Sequence, residues 1–232
     1  MAAAGKSMIK GCRESRSKSH SNNFKLIMLD FDGTIVDTKK LYYSSILQEL
    51  KKAGYHSGQA EKRLIINLGM RLPELLKRIG VKNKKEIEII KDKINNYVIK
   101  NSKNIKKCPH VDAIKNLKKD FHVVVISNSV SSFIRKIARK LQIESYFSRI
   151  IGGESFVDKA KMFRSLFKEY RIKPHEAVYV GDRAYDAIVA RNAGCKSIII
   201  ANRRSWNPLA DIVKAKPDYV VGSLKELRKI IL

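Results

Sequence analysis

Short apolar runs recur along this chain, separated by amphipathic patterns, and that alternation restricts the fold more than any other feature. "FKLIML" (24–29), "FHVVVIS" (121–127), "EAVYVGD" (176–182) and "KSIIIA" (196–201) read as buried strands, with a weaker fifth in "DYVVG" (218–222). Helical patterns fall near 110–119, 130–142, 159–170, 183–193 and 223–231, with Pro109 placed to start the first and Gly194 to stop the fourth. Strands alternating with helices predict an α/β fold: a Rossmann-like parallel sheet covered on both faces.

One interval breaks the rhythm. Roughly eighty residues separate the first strand from the second, without a convincing strand between them but with amphipathic stretches such as "LPELLKRIG" and "KKEIEIIKDKINNYVIK". That is too long for an ordinary crossover. The expectation is an inserted all-helical cap domain at 38–107, a core domain formed by 24–37 and 108–232, and a disordered basic tail at 1–23.

Charge and cysteine content narrow the function classes. The 232 residues carry 48 Lys and Arg against 22 Asp and Glu, a net +26, and the insertion alone holds 18 basic and 6 acidic residues. Such a balance suits an anionic partner, a phosphorylated metabolite or a nucleic acid, but it equally suits a thermophile's ion-pair networks. Cys12, Cys108 and Cys195 are odd in number and far apart. They predict neither a disulfide framework nor a zinc site, which fits a cytoplasmic protein. No apolar run approaches the ~20 residues of a membrane helix, and no membrane partner is expected. Monomer and homodimer are both compatible with the sequence.

The strand ends carry the chemistry. In an open parallel sheet, ligands bind where the carboxyl ends of the strands converge. Here those ends deliver Asp30 and Asp32, then Ser127 and Asn128, then Asp182 with Asp186 four residues on. Two like charges 4 Å apart repel by ~4 kcal/mol at an effective dielectric of 20, so the cluster requires a cation. Oxygen-only ligands point to a hard ion, and Mg2+ fits best. "DKAKMF" adds a lysine at a helix start, Lys159 or Lys161. Extended geometry aims residues i and i+2 the same way, so Asp30 and Asp32 can face one reacting centre while Phe31 turns into the core. An ionised aspartate can attack phosphorus, and a second carboxylate can move the proton.

At these residues the chain resembles the haloacid dehalogenase superfamily, in particular its magnesium-dependent phosphatases with a helical cap. "DFDGT" is similar to the first motif of that family, "VVVISNS" to the second and "VGDRAYDA" to the fourth. The resemblance implies Asp30 as nucleophile, Asp32 as acid/base and Ser127 as a phosphate ligand. It further implies Lys159, with Lys161 as the alternative, as the lysine that steadies the phosphate, and a metal site from Asp30, the Asp32 backbone carbonyl, Asp182 and Asp186. Asp at 32 favours a phosphatase over a dehalogenase. Tyr42 stands where the sugar phosphomutases of the group carry a histidine, which disfavours a mutase.

The expected substrate is a small phosphorylated metabolite, phosphoglycolate-like or a sugar phosphate. Arg71, in the cap loop "NLGMRLPE", is a candidate for the substrate's distal anion, and an ordinary solvated arginine is the competing reading. Asn128 is expected to offer its backbone N–H to the phosphate. The five histidines share no ligand spacing, and Trp206 and Tyr42 read as packing residues. Three alternatives stay open: a phosphomutase, a phosphonate hydrolase, or a nucleic-acid-binding protein on the same scaffold.

Overall fold

The computed structural model describes residues 23–232, so the expected tail lies outside the described residues except for Asn23. Six parallel strands form the main sheet in the order β5-β4-β1-β6-β7-β8. They are β1 (Leu26–Leu29), β4 (His122–Ile126), β5 (Arg149–Ile151), β6 (Ala177–Gly181), β7 (Lys196–Ile200) and β8 (Tyr219–Val221). The central strands are buried on both faces because their sequences are uninterrupted apolar runs.

Period two splits those runs between two layers. Ile27, Leu29, Val123, Val125, Val178 and Val180 join one core with α5 (Ser131–Lys140). Leu26, Met28, Val124, Ile126 and Tyr179 join the other, against α6 (Lys159–Glu169) and α7 (Ala184–Ala193). Side chains such as Phe163, fully buried in that second layer, each contribute about 1.5–3 kcal/mol by leaving water.

Between β1 and β4 run four helices: α1 (Lys39–Lys52), α2 (Gly58–Asn67), α3 (Leu72–Ile79) and α4 (Lys84–Lys100). Asn83 caps α4 by accepting from the N–H groups of Lys85 and Glu86, and Ile87, Ile90, Ile94 and Val98 form its buried stripe. A two-residue antiparallel ladder closes the base of this insertion, with Val36 of β2 (Val36–Asp37) opposite Lys107 and Asp37 opposite Lys106 of β3 (Lys106–Lys107).

The structure departs from the sequence reading in four places. Residues 110–119 form 3-10 turns at Val111–Ile114 and Leu117–Lys119 instead of an α-helix. The reason is spacing: buried Val111, Ile114 and Leu117 recur every third residue, the period of the tighter helix. Residues 149–151 form an edge strand, and α8 (Leu209–Lys214), with only Ile212 buried, escapes a periodicity test. The 223–231 pattern breaks into a 3-10 turn, Leu224–Glu226, and the short α9 (Arg228–Ile231). Among the described residues no helix is long and apolar enough to cross a membrane.

Candidate active site

Sheet register brings the acidic strand ends together. Leu29 pairs with Val125 on one side and Val180 on the other, so Asp30, Ser127 and Asp182 emerge from three adjacent strands. The backbone N–H of Asp30 donates to the Val180 carbonyl at 2.8 Å, which carries the sheet one residue into the motif. Gly33 then turns the chain at φ 82°, and a Cβ there would lie 2.4 Å from Asp182 Oδ2.

Asp30 is 2% exposed. Its Oδ1 accepts from the Phe31 N–H at 3.0 Å and from Lys159 Nζ at 3.4 Å, and its Oδ2 accepts from Arg183 Nη2 at 2.9 Å. Lys159 is held for this task. Asp158 caps α6 by accepting from Ala160 and Lys161, which turns Lys159 inward, where Nζ also donates to the Tyr179 hydroxyl at 2.7 Å. Lys161 lies exposed on the same helix.

Asp32 stands apart from that group. Its Oδ1 accepts from Thr38 Oγ1 at 2.7 Å, and its Oδ2 from Ser129 Oγ at 2.7 Å and Ser127 Oγ at 3.2 Å. Burial pushes its pKa up, further aided by the Asp30 charge, while the three hydroxyls pull it back. The two carboxylates of one motif therefore have different partners: cations for Asp30, hydroxyls for Asp32.

On the third strand end, Asp182 Oδ2 accepts from the Trp206 N–H at 2.7 Å and Oδ1 from Thr34 Oγ1 at 3.4 Å. Burial, then the neighbouring Asp186 charge, raises its pKa well above the carboxylate range. Asp186, at the third position of α7, accepts from the N–H groups of Asp182 and Arg183 at 3.2 and 3.0 Å.

Asp30, Asp182 and Asp186 each offer an oxygen within 4.8 Å of the others, all buried. Counting Asp32, four carboxylates face two buried cations, Lys159 and Arg183, which leaves a formal charge of −2. A hard divalent cation suits both that donor set and that deficit. The Asp32 carboxylate is not part of the triad.

A cavity of about 240 Å³ opens over this centre. Asp30, Asp32, Ser127 and Asn128 line it from the sheet, and Tyr42, Arg71, Lys91 and Asn95 line it from the insertion. Arg71 is already engaged there: its guanidinium donates to the carbonyls of Gly153, Phe156 and Val157 and lies 5.8 Å over the Phe156 ring. Asn128 sends its side-chain amide 3.3 Å to the Gly69 carbonyl.

Arg183, Thr38, Ser129 and Tyr42 are the site residues that sequence reasoning missed. Ser129 had a signal, since it follows Ser127 by two residues on the same face. Tyr42 is buried, packs its ring 5.9 Å from Trp206 and bonds its hydroxyl to Ser129 at 2.9 Å. Trp206 Nε1 is buried without a hydrogen-bond partner among the described residues.

The fold and the site together define a doubly wound α/β protein whose acidic strand ends converge on one buried centre. The chain belongs to the haloacid dehalogenase-like hydrolase family, whose model matches residues 27–200. It is 30% identical over 115 residues to a phosphoglycolate phosphatase from Vibrio vulnificus, a match that spans 48% of this chain and 50% of that protein. A phosphoglycolate phosphatase from Mannheimia succiniciproducens is 24% identical over 229 residues, covering 91% of this chain and all of the other. Among solved structures, a haloacid dehalogenase-like family hydrolase from Streptococcus pneumoniae superposes with a TM-score of 0.75 at 20% identity, over 90% of this chain and 99% of that one. At that identity the likeness concerns the fold.

Proposed function

We propose that this chain is a magnesium-dependent phosphomonoesterase that works through an aspartyl-phosphate on a small phosphorylated metabolite, phosphoglycolate-like in size and charge. The observation that carries this reading is the division of partners between Asp30, beside Lys159 and Arg183, and Asp32, inside three hydroxyls.

Asp30 attacks phosphorus in line, and the ester P–O bond breaks as the leaving oxygen takes a proton from Asp32. The upward shift that burial imposes on Asp32 favours its protonated form, the direction a proton donor needs. Asp32 then removes a proton from water, which attacks the phosphorus of the aspartyl-phosphate and regenerates the Asp30 carboxylate with release of phosphate. Ser127, Lys159 and the Asn128 backbone N–H hold the phosphoryl oxygens. Asp30, the Asp32 backbone carbonyl, Asp182 and Asp186 would hold magnesium, which when bound neutralises charge developing on the phosphoryl group.

Residues 38–107 act as a cap that encloses the leaving group. The small cavity favours a short substrate body. Arg71, bonded to three carbonyls, and Lys91, paired with Glu88, both line the cavity with Asn95 of α4, and these are the groups available for the substrate's distal end. Tyr42 favours hydrolysis over mutase chemistry, since burial, then the Asp32 charge, drives its hydroxyl pKa far upward and leaves it unable to serve as a base.

The test is a phosphate-release screen over phosphorylated metabolites, phosphoglycolate included, with magnesium, with a chelator and with Asp30→Asn. Turnover should vanish in the last two. Retention of most activity in either one rejects the mechanism.

A further inference from the structure

Arg183 is a buried cation at this centre to which the mechanism above gives no part. It is 5% exposed, and its Nη2 lies 2.9 Å from Asp30 Oδ2 and 2.9 Å from Asp186 Oδ1, with Nε 3.3 Å from Asp186 Oδ2. Nη1 reaches the other way and donates to the carbonyl of Gly69, in the loop between α2 and α3. That approach depends on glycine: at φ 96°, a Cβ on residue 69 would sit 2.6 Å from Nη1 and 2.7 Å from Cδ of Arg183.

Two of the three carboxylates in the triad are thus already bonded to a cation, and that cation is part of the chain. A guanidinium hydrogen and a divalent ion cannot share the same lone pair of Asp30 Oδ2. We infer that Arg183 is a positioning residue that serves as an internal counter-ion to Asp30 and Asp186, and that loading of a divalent ion at these carboxylates displaces it and releases the Gly69 loop. The inference rests on the magnesium site proposed above and adds its regulation: ion binding and the position of the 68–73 segment, the loop and the start of α3, are linked. Linkage works in both directions, so whatever loosens the Arg183 contacts strengthens ion binding.

A purely structural ion pair makes a different prediction. If the pair stays in place when the ion loads, exchange at 68–73 is unchanged by Mg2+, and a gain in ion affinity in Arg183→Gln reflects only the lost positive charge, which Arg183→Lys keeps and so would not share.

The experiment is calorimetric titration of Mg2+ into substrate-free protein, wild type against Arg183→Gln and Arg183→Lys, alongside amide hydrogen exchange across 68–73 in the wild type. The expected result is about tenfold tighter Mg2+ binding by Arg183→Gln, an intermediate value for Arg183→Lys, and faster exchange at 68–73 when wild-type protein takes up Mg2+. Equal or weaker binding by the variants, or exchange at 68–73 that Mg2+ leaves unchanged or slows, overturns the inference and leaves the phosphatase reading intact. No Mg2+ binding by any of the three proteins overturns the metal site and the inference with it. The exchange measurement uses wild-type protein, so it decides the question even if Arg183→Gln does not fold.

Discussion

Ser129 Oγ lies 2.7 Å from Asp32 Oδ2, and among the described residues no hydroxyl bond reaches Asp30. This contact helps fix how easily Asp32 holds a proton. Each hydroxyl donor stabilises the carboxylate against burial, which otherwise favours the protonated form.

Ser129→Ala should therefore raise the pKa of Asp32. The first step needs Asp32 protonated, so the alkaline limb of the kcat/KM profile should move to higher pH, with kcat falling by roughly tenfold as the carboxylate loses its orientation. A pH–rate profile with an unmoved alkaline limb would show that Ser129 does not tune this group.

Lys159 and Lys161 stand two residues apart and should behave in opposite ways. Lys159→Ala removes one of the two buried cations beside Asp30 and the donor to the Tyr179 hydroxyl, which should cost about 3 kcal/mol of stability and most of the activity. Lys161→Ala removes an exposed side chain and should stay within about 0.5 kcal/mol of wild type. Urea unfolding and phosphate release measured on both variants make the comparison.

Lys91 and Arg71 both line the cavity, yet only Arg71 binds three core carbonyls. Lys91→Ala should raise KM by roughly tenfold for a substrate bearing a second anion and leave KM for an aryl phosphate unchanged. Arg71→Ala should lower thermal stability instead, since it removes a clasp between insertion and core. Interchanged effects in the two variants would return Arg71 to the role of substrate reader.

Gly33 has no room for a side chain. Gly33→Ala should destabilise the fold by about 1–3 kcal/mol through its left-handed backbone and should weaken Mg2+ binding by pushing on Asp182. Thermal melts with and without Mg2+ separate the two effects: the variant's melting temperature should respond less to the ion.

Much of this arrangement was legible before any coordinates. Asp30, Ser127, Asp182 and Asp186 sit at the ends of apolar runs or the start of a helix, and the topology of a parallel sheet brings such ends together. What stayed hidden depended on partners distant in sequence. Arg183 fills a position of the fourth motif that sequence reading leaves unassigned, and its contacts to Asp30 and Gly69, 153 and 114 residues away, appear only in the fold. Arg71 looked free because the carbonyls that hold it lie 82 to 86 residues on. The β5 strand was missed because three residues opening on an exposed arginine show no clear period.

The two-residue ladder at the base of the insertion has a mechanical consequence. Its Val36 accepts from the Gly33 N–H at 2.8 Å and bridges to Asp32, while Ile35 accepts from the Cys108 N–H at 2.8 Å. The base of the insertion and the turn that carries Asp32 are thus joined directly by backbone hydrogen bonds. A 17-residue helix such as α4 is a lever of about 25 Å, so a rotation of about 10° at the ladder would sweep its far end through about 4 Å. The same torque acts at the near end on the residues beside Asp32. In the proposed mechanism such a rotation would shift the entrance and Asp32 together.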